Sequence, residues 1–174
     1  DFTKDPFTIC MVGQLLESKG QVIALKAVKL LLNVTSSVKL IIVGLGNKKY
    51  EQKLKYIAKQ LEIVNNVQFV GVVSDCSLYY KQAACSLVCT TFEAFGRVVI
   101  ESFYYGTPVI GRNSGALPEL IKHQYNGFLF DGTPESLATQ LMAVYNQEIA
   151  YKELSMHAKE TVFNRFNKDR FDNQ

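Results

Sequence analysis

The chain is 174 residues long, with 48% hydrophobic and 20% charged residues, so it has the size and composition of one globular domain with a real core. Its net charge of +3 comes from scattered Lys and Arg rather than a dense basic stripe, which excludes a nucleic-acid coat and suits a small anion. No apolar run approaches the ~20 residues of a membrane span, and no signal peptide opens the sequence, so a cytoplasmic location is expected.

Residues 1–6 read as a polar lead-in, and the domain proper as 7–174. A chain that starts this way is expected to follow a preceding domain. Strands are predicted at Phe7–Val12, Val38–Val43, Val67–Val70, Ser86–Cys89, Pro108–Ile110 and Gly127–Phe130. Between and after them, helical periodicity predicts helices at 19–33, 48–61, 75–83, 95–105, 116–122, 134–146 and 149–165. In the first helix Val22, Ile23, Leu25, Val28, Leu31 and Leu32 form a broad apolar face. The sixth opens with Thr133-Pro134-Glu135, a cap followed by Pro at the first helical position. The Tyr104-Tyr105 pair is expected to pack on the sheet, and Asn33-Val34-Thr35 is a chance sequon. Cys85 and Cys89 flank an apolar run, which is poor metal spacing. The four cysteines therefore read as small core residues in a reduced compartment, and the two histidines are too isolated for zinc.

Alternation of strand and helix predicts an α/β fold, a Rossmann-like, doubly wound parallel six-stranded sheet of order 3-2-1-4-5-6. Ligands in such folds bind at the carboxyl ends of the strands near the switch point, so the loops there matter most. After the first strand, Gly13 to Gly20 lacks the Walker pattern, but Lys19 stands where a helix begins. A cation at the positive end of a helix dipole makes sense with an anion between them; a solvated lysine in a turn is the plainer reading. Gly44-Leu45-Gly46 is a lone GxG with Lys49 where a third glycine would stand, which argues against a standard NAD site. Gly71, within Phe69-Val70-Gly71-Val72-Val73, reads as a bulge, a strand end or a place of close approach.

The strongest segment is Thr91 to Glu101. Glu93 leaves the fourth strand and a helix begins near Phe95. The N–H groups of Phe95, Gly96 and Arg97 then point outward as anion donors, and Gly96 admits a close ligand. Glu101, two turns along, is expected to face the same cleft. Two carboxylates flanking a donor-rich helix start suit a ligand both polyhydroxylated and phosphorylated, as a nucleotide sugar is. An i,i+4 ion pair with Arg97 is the competing account of Glu101. A helix start accounts for Gly115-Ala116-Leu117-Pro118-Glu119.

Taken in order, Val12-Gly13…Lys19-Gly20, Ile42-Val43-Gly44-Leu45-Gly46, Phe69-Val70-Gly71, Glu93-Ala94-Phe95-Gly96…Glu101, Gly106-Thr107-Pro108-Val109-Ile110, Gly115…Pro118-Glu119 and Asn126-Gly127 resemble the C-terminal domain of retaining GT-B glycosyltransferases of family four. The resemblance covers nearly the whole chain. It implies one half of a GT-B fold, binding a UDP- or GDP-sugar donor for transfer with retention. The acceptor half would lie on a separate N-terminal domain, without which the isolated domain is inactive and through which peripheral membrane association is open. Gly13 and Gln14 would adjoin the diphosphate, Lys19 would contact it, and Glu93 would position the donor sugar in the catalytic site. Backbone amides from Phe95 to Val98 (Phe95, Gly96, Arg97 and Val98) would hold sugar and phosphate, Glu101 the ribose hydroxyls, and Val70, Gly71 and Val72 the base. No Asp-x-Asp motif is present, so no metal and no other cofactor is expected, and Lys19, Arg97 and the helix start would stabilise the leaving diphosphate. Gln14 departs from the family, which has Arg there. A GT-B nucleotide-sugar epimerase half and a non-catalytic nucleotide-binding domain are the alternatives.

Overall fold

Short runs of Val, Ile, Leu and Phe bury on both faces only in a parallel sheet covered by helices, and that is the arrangement found. The computed structural model describes residues 7–166. Its strands are β1 (Phe7–Val12), β2 (Val38–Val43), β3 (Val67–Gly71), β4 (Cys85–Val88), β5 (Val109–Arg112) and β6 (Gly127–Phe130). All pairings are parallel and the order is β3-β2-β1-β4-β5-β6, as expected. The two halves of the sheet meet along a short seam, Ile9 opposite Cys85 and Cys10 opposite Ser86.

Helices α1 (Gln21–Leu31), α2 (Lys48–Gln60), α3 (Ser77–Gln82), α4 (Arg97–Tyr104), α5 (Leu117–Leu120), α6 (Pro134–Tyr145) and α7 (Tyr151–Phe166) cover the sheet. None is long and apolar enough to cross a membrane. Alternation along β1 and β2 sends Phe7, Ile9 and Met11 with Val38, Leu40 and Ile42 into one cluster with α1 and α6. On the opposite face Cys10 packs with Tyr80 and Ala83, and Val99 and Phe103 of α4 pack with Ala158 and Val162 of α7. Asn47 and Thr133 cap α2 and α6 through Lys49 N–H (2.8 Å) and Ser136 N–H (3.2 Å).

Three expectations require correction. The first helix does not run from 19: a 3₁₀ turn, Glu17–Lys19, ends at Gly20 in the left-handed region, and α1 begins only at Gln21. The cause is tertiary, since a Cβ on Gly20 would lie 2.5 Å from the carbonyl oxygen of Cys89 at the end of β4. Likewise α4 starts at Arg97 rather than 95, because Gly96 (φ 66°) caps it in the left-handed region. A Cβ there would collide with Leu120 of α5. Finally, only Tyr105 of the tyrosine pair turns inward, stacked on Tyr80; Tyr104 is half exposed beside Phe163. Successive residues on a helix point about 100° apart, so both rings cannot face one sheet. The expected lead-in, residues 1–6, and the end of the expected domain, 167–174, lie outside the described residues.

Candidate functional site

The loops that leave β1 and β4 form a cavity of about 240 Å³ at the switch point of the sheet, where a parallel fold with this strand order binds its ligands. Gly13, Gln14, Lys19, Glu93 and Val98 all line it, together with Gln21 and Thr90. The Gln14 backbone is fixed from below: buried Gln21 donates from Nε2 to the Gln14 carbonyl at 2.9 Å and accepts from the Tyr50 hydroxyl. The Gln14 side chain is thus the exposed, adjustable part. Gly13 and Gly44 meet backbone to backbone behind this loop, too close for any Cβ on Gly44.

Glu93 is the best-held residue of the site. Ala116 N–H donates to its carbonyl at 2.8 Å, and Gly115 packs against its backbone. On the other side Thr91 N–H donates to the Ser18 carbonyl at 3.0 Å, which links this loop to the one after β1. Thr90 Oγ1 donates to Phe92 O within the turn. The Gly115-Ala116 segment therefore does more than start α5: it sets the position of Glu93. Sequence reading missed this, and missed Gln21, although a polar residue on the apolar stripe of α1 was a visible signal.

The carboxylate of Glu93 turns back onto the start of α4. Its Oε1 accepts from Gly96 N–H at 3.1 Å and lies 3.5 Å from Phe95 N, and its Oε2 is 3.6 Å from Lys19 Nζ. The sequence reading had these amides pointing outward, whereas here two of them face Glu93. Lys19, Glu93 and, through Val98, the first turn of α4 thus line one cavity; Phe95, Gly96 and Arg97 do not line it, and the Glu93 carboxylate stands at the amides where an anion would. Phe92 and Phe95 flank Glu93 in the chain and are 70% and 81% exposed.

Glu101 does not share this cavity. It lines a second one, also about 240 Å³, with Ser74, Asp75, Cys76, Ser77, Tyr80 and Tyr105, beyond the end of β3. The i,i+4 pair with Arg97 is present at 3.6 Å and well exposed, and Tyr80 donates its hydroxyl to the other carboxylate oxygen at 3.1 Å. Burial, and then the Glu101 charge, raise the Tyr80 hydroxyl above its ordinary range, so it remains a proton donor. The Cys76 thiol is raised by burial and by Glu101 and Asp75. Val70, Gly71 and Val72 stand at the end of β3 and line neither of these two cavities; β3 slips register there, Gly71 standing opposite Val43. Among the described residues no three His, Cys, Asp or Glu side chains gather as a metal ion would need.

A family model described as glycosyl transferases group 1 matches residues 1–161. An uncharacterized glycosyltransferase of Haemophilus influenzae is 32% identical over 150 residues, which is 85% of this chain and 42% of that protein. The GalNAc-alpha-(1->4)-GalNAc-alpha-(1->3)-diNAcBac-PP-undecaprenol alpha-1,4-N-acetyl-D-galactosaminyltransferase of Campylobacter jejuni is 33% identical over 156 residues, 87% of this chain and 42% of that one. Among solved structures, Anabaena Alr3699/HepE in complex with UDP superposes with a TM-score of 0.90 at 25% identity, covering 98% of this chain and 47% of that chain. The chain thus spans a little under half the length of each of these three proteins.

Proposed function

Because the chain belongs to the glycosyl transferases group 1 family, we propose that it is the half of a retaining GT-B glycosyltransferase that binds a nucleoside diphosphate sugar. The observation that carries this reading is that Lys19 and Glu93 line the switch-point cavity together while the Glu93 carboxylate joins Lys19 to the Gly96 N–H at the start of α4. The diphosphate enters that cavity, displaces the Glu93 carboxylate from the α4 amides and draws Lys19 to itself. The freed carboxylate then accepts from hydroxyls of the donor sugar. Glu101, in the neighbouring cavity, accepts from the ribose, and the base lies against the backbone of Val70 to Val72. The anomeric carbon loses its bond to the phosphate oxygen and gains one to the acceptor oxygen on the same face, and the acceptor hydroxyl gives up its proton to the departing phosphate. Lys19, Arg97 and the helix start stabilise the departing charge without a metal ion. The relatives' greater length supports an N-terminal acceptor half, and the exposed Phe92 and Phe95 rings present a surface to it. HepE, solved with UDP and with UDP-glucose, supports UDP as the first nucleotide to test.

The test is calorimetric titration of the chain with UDP, GDP and ADP in the presence of EDTA, repeated on Lys19→Ala. One nucleotide should bind, and the substitution should weaken it at least about tenfold. Absence of binding by any of the three would overturn the reading. In the full-length protein, NMR of the product distinguishes a retained glycoside from an inverted one, and a glycoside from an epimerised donor.

A further inference from the structure

We infer that Tyr80 is the positioning residue for Glu101, held at both ends so that its hydroxyl fixes the carboxylate that meets the ribose. This inference rests on the ribose role assigned to Glu101 above. Left to itself, Glu101 would be poorly placed: it is on the exposed side of α4, and Arg97, one turn earlier and 86% exposed, draws Oε1 outward. Tyr80 acts from the opposite side. The residue is 1% exposed, its ring is stacked on Tyr105 with centroids 6.0 Å apart, and its hydroxyl donates to Oε2 at 3.1 Å. The two carboxylate oxygens are thus divided between an exposed surface cation and a buried donor, and the buried donor has the lower entropy cost of holding a geometry.

What keeps Tyr80 in place is a chain of buried hydroxyls. Thr107 Oγ1 donates to the Tyr80 carbonyl at 2.7 Å, and Ser102 Oγ donates to the Thr107 carbonyl at 2.8 Å. Ser86 of β4 lies 2.7 Å from Ser102 Oγ, whose proton is already committed to Thr107, so Ser86 is the donor there. Ser86, Ser102 and Thr107 are all buried. Ser102 is the neighbour of Glu101 on α4. The same element that carries the carboxylate is therefore bonded, through Thr107, to the residue that grips it. The chain ties α3 to α4 and β4, and so to the wall of the cavity that Glu101 lines.

The test compares binding of UDP and GDP with that of their 2′,3′-dideoxy forms. The ribose preference is the affinity ratio of each pair. Tyr80→Phe keeps the ring and its stack and removes only the hydroxyl; thermal unfolding checks that the variant is folded. The ribose preference should fall roughly three- to tenfold, the range of one hydrogen bond, while dideoxy affinity stays unchanged. Glu101→Gln should reduce the preference further, and adding Tyr80→Phe to Glu101→Gln should cause no additional loss. A Tyr80→Phe chain that loses affinity equally for ribo and dideoxy nucleotides, or loses none, overturns the inference while leaving the role of Glu101 intact. If Glu101→Gln leaves the ribose preference of the bound nucleotide untouched, the ribose assignment itself fails, and this inference with it.

Discussion

Gly115→Ala tests whether the loop after β5 sets the position of Glu93. Gly115 sits in the left-handed region (φ 56°), and a Cβ there would stand 2.5 Å from the Glu93 carbonyl oxygen and 2.8 Å from its nitrogen. Ordinary contact begins near 3.4 Å, so the two backbones must part by about 0.9 Å. Neither obstructing atom is the free end of a side chain, so the displacement falls on the segment that carries the carboxylate. The left-handed conformation costs alanine about 1–2 kcal/mol and the crowding about 1–3 kcal/mol, about 2–5 kcal/mol together. Gly71→Ala is the control, with a similar positive φ of 83° and no atom within 4 Å of its Cβ, so it bears only the conformational part. Urea denaturation should find Gly115→Ala less stable than Gly71→Ala by at least about 1 kcal/mol. In the full-length protein, transfer by Gly115→Ala should fall about a hundredfold, the scale expected for a misplacement near 1 Å. Equal stability losses in the two variants would refute the packing argument. A destabilised Gly115→Ala with undiminished transfer would show that this loop does not govern the chemistry.

Gln14→Arg adds a cation to the cavity wall beside Lys19, from a position whose backbone is already fixed, and should tighten nucleoside diphosphate binding about tenfold in calorimetry, with the gain shrinking as salt is raised. An unchanged affinity would mean that residue 14 does not face the diphosphate. Burial pushes the thiols of Cys10, Cys85 and Cys89 up, that of Cys89 to about 12 despite the opposing charge of Arg112. Iodoacetamide at about pH 8 should therefore modify the folded chain at Cys76 alone and the urea-unfolded chain at all four cysteines, as read by mass spectrometry; a second adduct on the folded chain would contradict the burial. Hydrogen bonds from the Thr133 hydroxyl and N–H hold the Asp131 carboxyl below its ordinary 3.8. A folded-state value below the unfolded one means stabilisation that is present above about pH 4 and lost as the pH falls through the folded value. The melting temperature of Asp131→Ala should lie below the parent's at about pH 6, and the gap should narrow as the pH is lowered below about 4; a gap that does not narrow in acid would count against this account.

Much of the fold was legible because the strands are short apolar runs set between helical periods, and a doubly wound order is the simplest parallel arrangement of six of them. Helix starts were misplaced where a glycine answers to another part of the chain. Nothing near Gly20 announces Cys89, and nothing near Gly96 announces Leu120. Lys19 and Glu93 could be found because each lies just past a strand, where the topology gathers the loops. Their partners could not. Tyr80 reaches Glu101 across 21 residues, and Thr107 reaches Tyr80 across 27, and no local pattern encodes either contact. The placing of Glu101 in a cavity apart from Glu93 follows from the same cause: helical spacing fixes its rotation about α4 but not which neighbouring loop closes over it.

The seam between β1 and β4 has a bearing on how this domain is born. Residues 7–71 form one half of the sheet and 85–130 the other, joined by the β1–β4 pairing, the packing of α1 on α6 and the contacts between the loops after β1 and β4, Thr91 N–H to Ser18 and Lys19 to Glu93 among them. As the chain leaves a ribosome, the inner edge of β1 stays open until β4 follows roughly 75 residues later, a wait on the order of 4–15 s at ordinary synthesis rates. An open apolar edge of that kind is an invitation to misassembly. The switch-point cavity takes one wall from each half, so it cannot exist before the halves meet. A ligand lodged there grips two stretches of chain made seconds apart, and should act as a clasp on their union.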